Sequence, residues 1–240
     1  MEKLQYEEFA PLFGSWAEIF KEFIESEHMF RIYEKLKLEK EIIVPKSDMV
    51  FRAFTHTTFE NLKVDWYLAD PYPKKYKDKT NQATGIAMDC SNSPDGEIQP
   101  SLKVFYDALE QTLKKKIERS CSLDYLGYQG VMLLNTDLTC KLGKTGSHKG
   151  LWEEFQKFFL NKIANKPGLV YVLSGEVSER MEKFINPLGN HILKTEHPAA
   201  AARSEREWNH KDIFNKINSL TNGKIYWEKG DWEKYSEAPF

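Results

Sequence analysis

Four short β-forming runs alternating with segments of helical periodicity constrain this chain more than any other feature. The runs are "LKVDWYLA" (62–69), "GVMLLN" (130–135), "LVYVLSG" (169–175) and "NHILKTEH" (190–197). Between them lie "SLKVFYDALEQTLKKKIE" (101–118), "GLWEEFQKFFLNKIA" (150–164) and "EVSERMEKFI" (176–185), whose apolar residues recur at helical spacing. Strands that alternate with helices pair in parallel and need both faces covered. The expected architecture is therefore an α/β three-layer sandwich around a central four-stranded parallel sheet. Helical spacing also runs through the first forty residues, at Phe9, Leu12, Phe13, Trp16, Ile19, Phe20 and Phe23, then at Phe30, Ile32, Tyr33 and Leu36. No internal repeat interrupts the 240 residues, which read as one domain, 1–240.

The strand ends carry the chemistry. Asp70 lies just past the first run, Asn135 closes the second, and His197 closes the fourth. Ligands of open parallel sheets bind beyond the carboxyl ends of the strands, so these three side chains are expected to converge. Any one of them alone is equally well read as a cap or turn residue. Asp70 is further marked by "ADPYP" (69–73), where two prolines fix the turn that follows a buried strand.

An aspartate and a histidine with no serine or cysteine nucleophile nearby point to water activation or charge stabilisation, not acyl transfer. "LGKTGSHKG" (142–150) contains Gly-Lys-Thr, but the glycine that a phosphate-cradling loop requires five residues earlier is Leu138. The six histidines lie apart with no HxxxH or HExxH spacing, so neither a metal nor a cofactor is expected. Three cysteines (Cys90, Cys121, Cys140) without a CxxC pattern suggest a reducing compartment, and the expected location is the cytoplasm. The N-terminal apolar residues are interspersed with acids, which fits neither a signal peptide nor a membrane span. A net charge of −2 argues against bulk adhesion to nucleic acid while leaving room for a local basic groove.

With those residues in view, the chain resembles the family-1 uracil-DNA glycosylases from about Trp16 to Trp227. The family's water-activating GQDPYH corresponds to "LADPYP" (68–73), and its GLAFSV to "GIAMDC" (85–90). Its PPSL loop corresponds to "QPSL" (99–102), and QGVLLLNTVLTV to "QGVMLLNTDLTC" (129–140). "SHKG" (147–150) is retained, and HPSPLS stands as "HPAAAA" (197–202). The resemblance implies a monomeric, monofunctional DNA glycosylase that acts on a nucleotide flipped from DNA. Asp70 would orient the attacking water, and His197 would donate to the pyrimidine O2. Asn135 would read the Watson–Crick edge, Tyr72 would sit against C5, and the backbone N–H of Ala69 would serve the base. Met88 would occupy the place of the stacking aromatic. Ser101 and His148 would grip phosphates, and Ala199 and Ala201 would stand where the DNA-gripping loop has a serine and an intercalating leucine.

The departures from the family cluster at the base pocket and the DNA-gripping loop. Met88 is an adaptable thioether where the family has a ring, and Pro73 replaces a histidine. Ala199, Ala201 and Ala202 remove two serines and the wedge. Asp89 and Asp137 replace neutral residues. An insertion of about five residues, "KKYKDKT" (74–80), adjoins the C5 side of the base; its lysines and Tyr76 are expected to line the space for a C5 substituent. The Asn135 amide suits a uracil edge in one orientation and a cytosine-type edge in the other, with Asp137 as the candidate that fixes it. Three functions follow as expectations. The first is excision of a C5-modified pyrimidine, hydroxymethylated or glucosylated, from phage DNA as antiphage defence. The alternatives are a divergent uracil repair enzyme and an inactive DNA- or partner-binding relative.

Overall fold

The computed structural model of the protein describes residues 4–221 and 225–236. Six strands occur among them: β1 (Ile43–Val44), β2 (Val64–Leu68), β3 (Val131–Asn135), β4 (Cys140–Lys141), β5 (Val170–Ser174) and β6 (His191–Thr195). β3, β2, β5 and β6 form one parallel sheet in that order, while β1 and β4 pair antiparallel in a small separate sheet. All four expected strands are present, each trimmed by one to three residues.

β2, β5 and the edge strand β3 are each buried along their whole length, as a sheet covered on both faces requires. Trp66 points to one face, against Phe105 of helix Pro100–Leu113, Phe214 of helix Ile213–Leu220, Trp208 and Trp227. Its indole N–H donates to Ser174 Oγ at 2.9 Å. Tyr67 points to the other face, where its hydroxyl donates to Gln156 Oε1 on helix Glu153–Ile163 at 3.1 Å. That helix carries Phe155 and Phe159 into an aromatic cluster with Phe13, Trp16, Phe20 and Phe54. The N-terminal periodicity is thus spent on covering this second face. The edge strand β6 is blunted by exposed His191 and Lys194.

The helices deviate more than the strands. The expected 101–118 helix ends at Leu113, because Lys114 turns left-handed at φ 53°. That exit lets Lys115 reach Glu228 and Asp231 while Lys116 turns back to Glu110. The expected 176–185 helix is only Glu176–Glu179 followed by a 3-10 turn at Glu182–Phe184. Helix Pro198–Arg203 and two later helices (Ile213–Leu220 and Lys229–Ser236) follow β6. Among the described residues no helix is long and apolar enough to cross a membrane.

Candidate active site

The parallel register sets Leu68 opposite Asn135 and Ser174 opposite Thr195, so all four strands stop at one level. A cleft of about 1000 Å³ opens there. Asp70, Asn135 and His197 all line it, with Ala69, Tyr72, Met88, Ser101 and Ala199.

Asp70 is held by backbone alone. Thr136 N–H donates to Leu68 O at 2.9 Å and Asp137 N–H to Ala69 O at 3.1 Å, which locks the end of β2 to the end of β3. Asp70 Oδ1 then accepts from Gly146 N–H at 3.1 Å. Burial raises the carboxyl's pKa above its ordinary value; the Gly146 amide, Arg180 and His148 oppose that rise. The other oxygen makes no hydrogen bond to a described residue and is available to a water.

His197 caps helix Pro198–Arg203, its Nδ1 accepting from Ala199 N–H at 3.1 Å. Burial, helped by the nearby Arg203 charge, pushes its pKa down to about 4, so the ring is neutral near pH 7. Since Nδ1 accepts, the single ring proton belongs on Nε2. Ala69 N–H is directed at that nitrogen over 3.4 Å, a long contact that an incoming oxygen would have to replace. An oxygen that gains negative charge, entering between them, would take both N–H groups as donors in place of that contact. The close seat depends on Gly175, at φ 83°, where a Cβ would come 2.9 Å from the His197 Cβ.

The base-side residues are fixed to different degrees. The Tyr72 hydroxyl donates to Met88 O at 3.1 Å and shares a 2.7 Å bond with Ser101 Oγ, so one wall of the cleft is tied together. Met88 itself adopts a left-handed φ of 63°. Asp89, fully buried, holds that turn by accepting from Ser91 N–H, Leu123 N–H and Arg52. Gln156 Nε2 donates to the carbonyls of both Asn135 and Thr136 at 3.1 Å, which steadies the backbone beneath the Asn135 amide.

Four expectations need correction. Ala201, expected at the DNA-contact surface, is completely buried where helix Pro198–Arg203 lies on helix Pro100–Leu113 and is not exposed to DNA. His148 is 4% exposed, with Nδ1 2.8 Å from Thr139 Oγ1 and Nε2 3.5 Å from Glu39, so it braces the loop beneath Asp70 and cannot grip a phosphate. Asp137 does not fix the Asn135 amide: its oxygens accept from Gly150 N–H at 3.0 Å and Arg180 Nη2 at 2.5 Å. The inserted loop does not present Tyr76 or its lysines to the cleft. Tyr76 is buried under the loop, the lysines point outward, and only Pro73, Ala83 and Thr84 from this region line the cleft.

No family model matches the chain. A uracil-DNA glycosylase of Francisella philomiragia is 33% identical over 217 residues, covering 88% of this chain and 95% of that protein. This chain belongs to the uracil-DNA glycosylase family. A second relative, the uracil-DNA glycosylase of Flavobacterium johnsoniae, is 30% identical over 88% of this chain and 94% of its own length. The solved structure of mimivirus uracil-DNA glycosylase is 21% identical and matches with a TM-score of 0.78 over 95% of this chain and 94% of that one. At that identity the structural likeness bears on the fold alone. Family membership makes the protein a DNA glycosylase, a hydrolase of the N-glycosidic bond.

Within that family setting, two contributors lay outside the sequence reading. Gly146 supplies only a backbone N–H, and its one signal was the glycine in a loop already dismissed as a phosphate cradle. Arg180 lies more than forty residues from Asp137 and carries no motif; only folding places it beside the site. Among the described residues no three His, Cys, Asp or Glu side chains are grouped as a metal would need.

Proposed function

We propose that this glycosylase hydrolyses the N-glycosidic bond of a pyrimidine flipped out of DNA and leaves an abasic site. The observation that carries the reading is the convergence of the Asp70 carboxylate with the paired donors His197 Nε2–H and Ala69 N–H on one cleft. In a dissociative departure, positive charge builds on the sugar and negative charge on the base. Asp70 faces the first, with a water on its free oxygen, and the two N–H groups receive the pyrimidine O2. Asn135 reads the base edge, with Tyr72 and Met88 as neighbouring walls.

The base we favour is a C5-substituted pyrimidine, hydroxymethylated or glucosylated as in some bacteriophage genomes, which would make the enzyme an agent of antiphage defence. Support comes from the cleft wall near Tyr72, where Pro73, Ala83 and Thr84 present little bulk, and from Met88 in place of a ring. The absence of a wedge at 201 fits a target that is extruded at lower cost or offers contacts of its own. A second reading, excision of plain uracil, is favoured by the retained Tyr72 and Asn135 and by the named activity of the relatives.

The test is incubation with duplexes containing uracil, 5-hydroxymethyluracil, 5-hydroxymethylcytosine or its glucosides, scoring alkali-labile abasic sites. Release of a C5-modified base ahead of uracil supports the favoured reading. Release of uracil alone replaces it with the repair reading, and release from none of them sinks the glycosylase reading altogether.

A further inference from the structure

The insertion at 73–83 folds as a compact hairpin. Lys75 and Asn81 form a β-bridge, Tyr76 N–H donates to Thr80 O at 2.8 Å, and Gln82 N–H donates to Lys74 O at 3.0 Å. Its tip is closed by Asp78, whose carboxylate accepts from Thr80 N–H and Oγ1 at 2.9 and 2.8 Å. Tyr76 anchors the hairpin inward at 8% exposure. This is an ordered element whose local bonds consume its one acidic side chain.

What remains on its surface is a set of four lysines, Lys74, Lys75, Lys77 and Lys79, all exposed. None makes an ion pair or a side-chain hydrogen bond with a described residue. That contrasts with Lys115, Lys116, Lys141 and Lys157, each of which pairs with at least one carboxylate. The hairpin base, at Pro73 and Ala83, is part of the cleft wall, so the free charges stand on the rim of the site. Arg203 and Lys211 also line the cleft, as do the acidic Glu176 and Glu179. The unpaired hairpin lysines, with Arg203 and Lys211 on the same cleft, therefore offer favourable contacts to a polyanion.

We infer that the Lys74–Lys79 hairpin is a DNA-backbone clamp, which grips phosphates beside the flipped nucleotide in place of the grip lost at Ala199 and Ala202. The inference rests on the reading that this cleft takes a nucleotide from DNA. Each lysine that neutralises a phosphate releases counterions, so the cluster contributes affinity that is independent of sequence and steeply dependent on salt.

The experiment measures the Kd of a fluorescent duplex bearing a tetrahydrofuran abasic analogue, from 50 to 300 mM NaCl. Wild type is compared with a variant carrying Lys74→Gln, Lys75→Gln, Lys77→Gln and Lys79→Gln, and with the four-fold Lys→Arg variant. The glutamine variant is expected to bind about tenfold or more weakly at 50 mM, with a log–log salt slope shallower by about 3. The arginine variant is expected to restore both. Equal Kd and slope in wild type and glutamine variant overturn the clamp, as does failure of the arginine variant to recover them when its far-UV circular dichroism is native. If the slope shifts as expected while the panel of modified duplexes yields no abasic sites, the clamp stands and the catalytic reading falls.

Discussion

Arg180 Nη2 lies 2.5 Å from Asp137 Oδ2, and the other Asp137 oxygen accepts from Gly150 N–H. Four residues before Gly150, Gly146 N–H donates to Asp70. The two aspartates therefore pin both ends of the 146–150 segment, and Arg180 compensates a buried charge whose field would otherwise reach Asp70. Burial is the main cause that raises the Asp137 pKa, Arg180 opposes it, and the Asp70 charge adds to the rise. Asp137 departs from the family pattern, and Arg180 is what makes that departure tolerable.

Removing Arg180 should leave Asp137 unpaired and push the Asp70 pKa higher still. His148 and Cys140 also lie within electrostatic reach of Asp70, but neither replaces the lost positive charge at neutral pH. A smaller fraction of Asp70 would be ionised at neutral pH, so single-turnover rate should fall there and recover as pH rises. Arg180→Gln is expected to shift the acidic limb of the pH–rate profile upward and to lower stability by about 3 kcal/mol, the cost of exposing one partner of a buried pair. Asp137→Asn combined with Arg180→Gln should return the limb towards wild type. A profile unchanged in Arg180→Gln would show that the pair has no electrostatic influence on Asp70.

Asp70→Asn retains the shape of the side chain while removing its charge, and should abolish base release in a protein that still melts cooperatively. His197→Ala removes one of two N–H donors and should cost on the order of 10²–10³ in rate, as loss of a single oxyanion donor does. Both are read by abasic-site yield under single-turnover conditions. If the Asp70 carboxylate orients the water, as proposed, rates should be the same in EDTA; a chelator-sensitive rate would overturn that assignment.

His197 also makes stability depend on pH. Its folded pKa is pushed down to about 4, whereas in the unfolded chain it is near 6.5. Between those values the unfolded state binds more protons, so stability should fall as pH drops from 6.5 towards 4. The full loss is at most about 3.5 kcal/mol, from about 1.4 kcal/mol per pH unit. Urea unfolding of wild type and His197→Gln across this window should show the difference between them narrowing or reversing at the acid end. A constant difference would mean that the imidazole titrates normally in the folded protein.

Asp65 gives the opposite dependence. It is fully buried in β2, with neither carboxylate oxygen hydrogen-bonded to a described residue, and burial raises its pKa well above the usual range. The folded protein therefore retains a proton that the unfolded chain releases above about pH 4, and stability is lost as pH rises from there towards the folded value. Asp65→Asn should raise the unfolding midpoint at pH 8, by about 1–3 kcal/mol in free energy, with the gain shrinking towards pH 4. If the gain is the same at both pH values, the carboxyl is not held in its neutral form.

The sheet was legible because its rules are local. Buried strands such as Val131–Asn135 declare themselves by continuous apolar runs, and parallel order follows from the helices between them. The rule that ligands bind beyond strand ends then singled out Asp70, Asn135 and His197, and the motifs added Ala69, Tyr72, Met88 and Ser101, all of which line the cleft. Neighbours set the rest. Ala201 was assigned to DNA by its place in a motif, yet the packing of two helices buries it. His148 was lost to Thr139 and Glu39, the latter arriving from a segment more than a hundred residues away. Asp137 found Arg180 across forty-three positions, and Tyr76 turned inward while the lysines beside it turned out. Periodicity and strand-end chemistry are properties of short stretches and can be read along the chain. The partner of a charge, and the face that a loop shows, depend on which distant segments arrive beside it, and that only the tertiary structure decides.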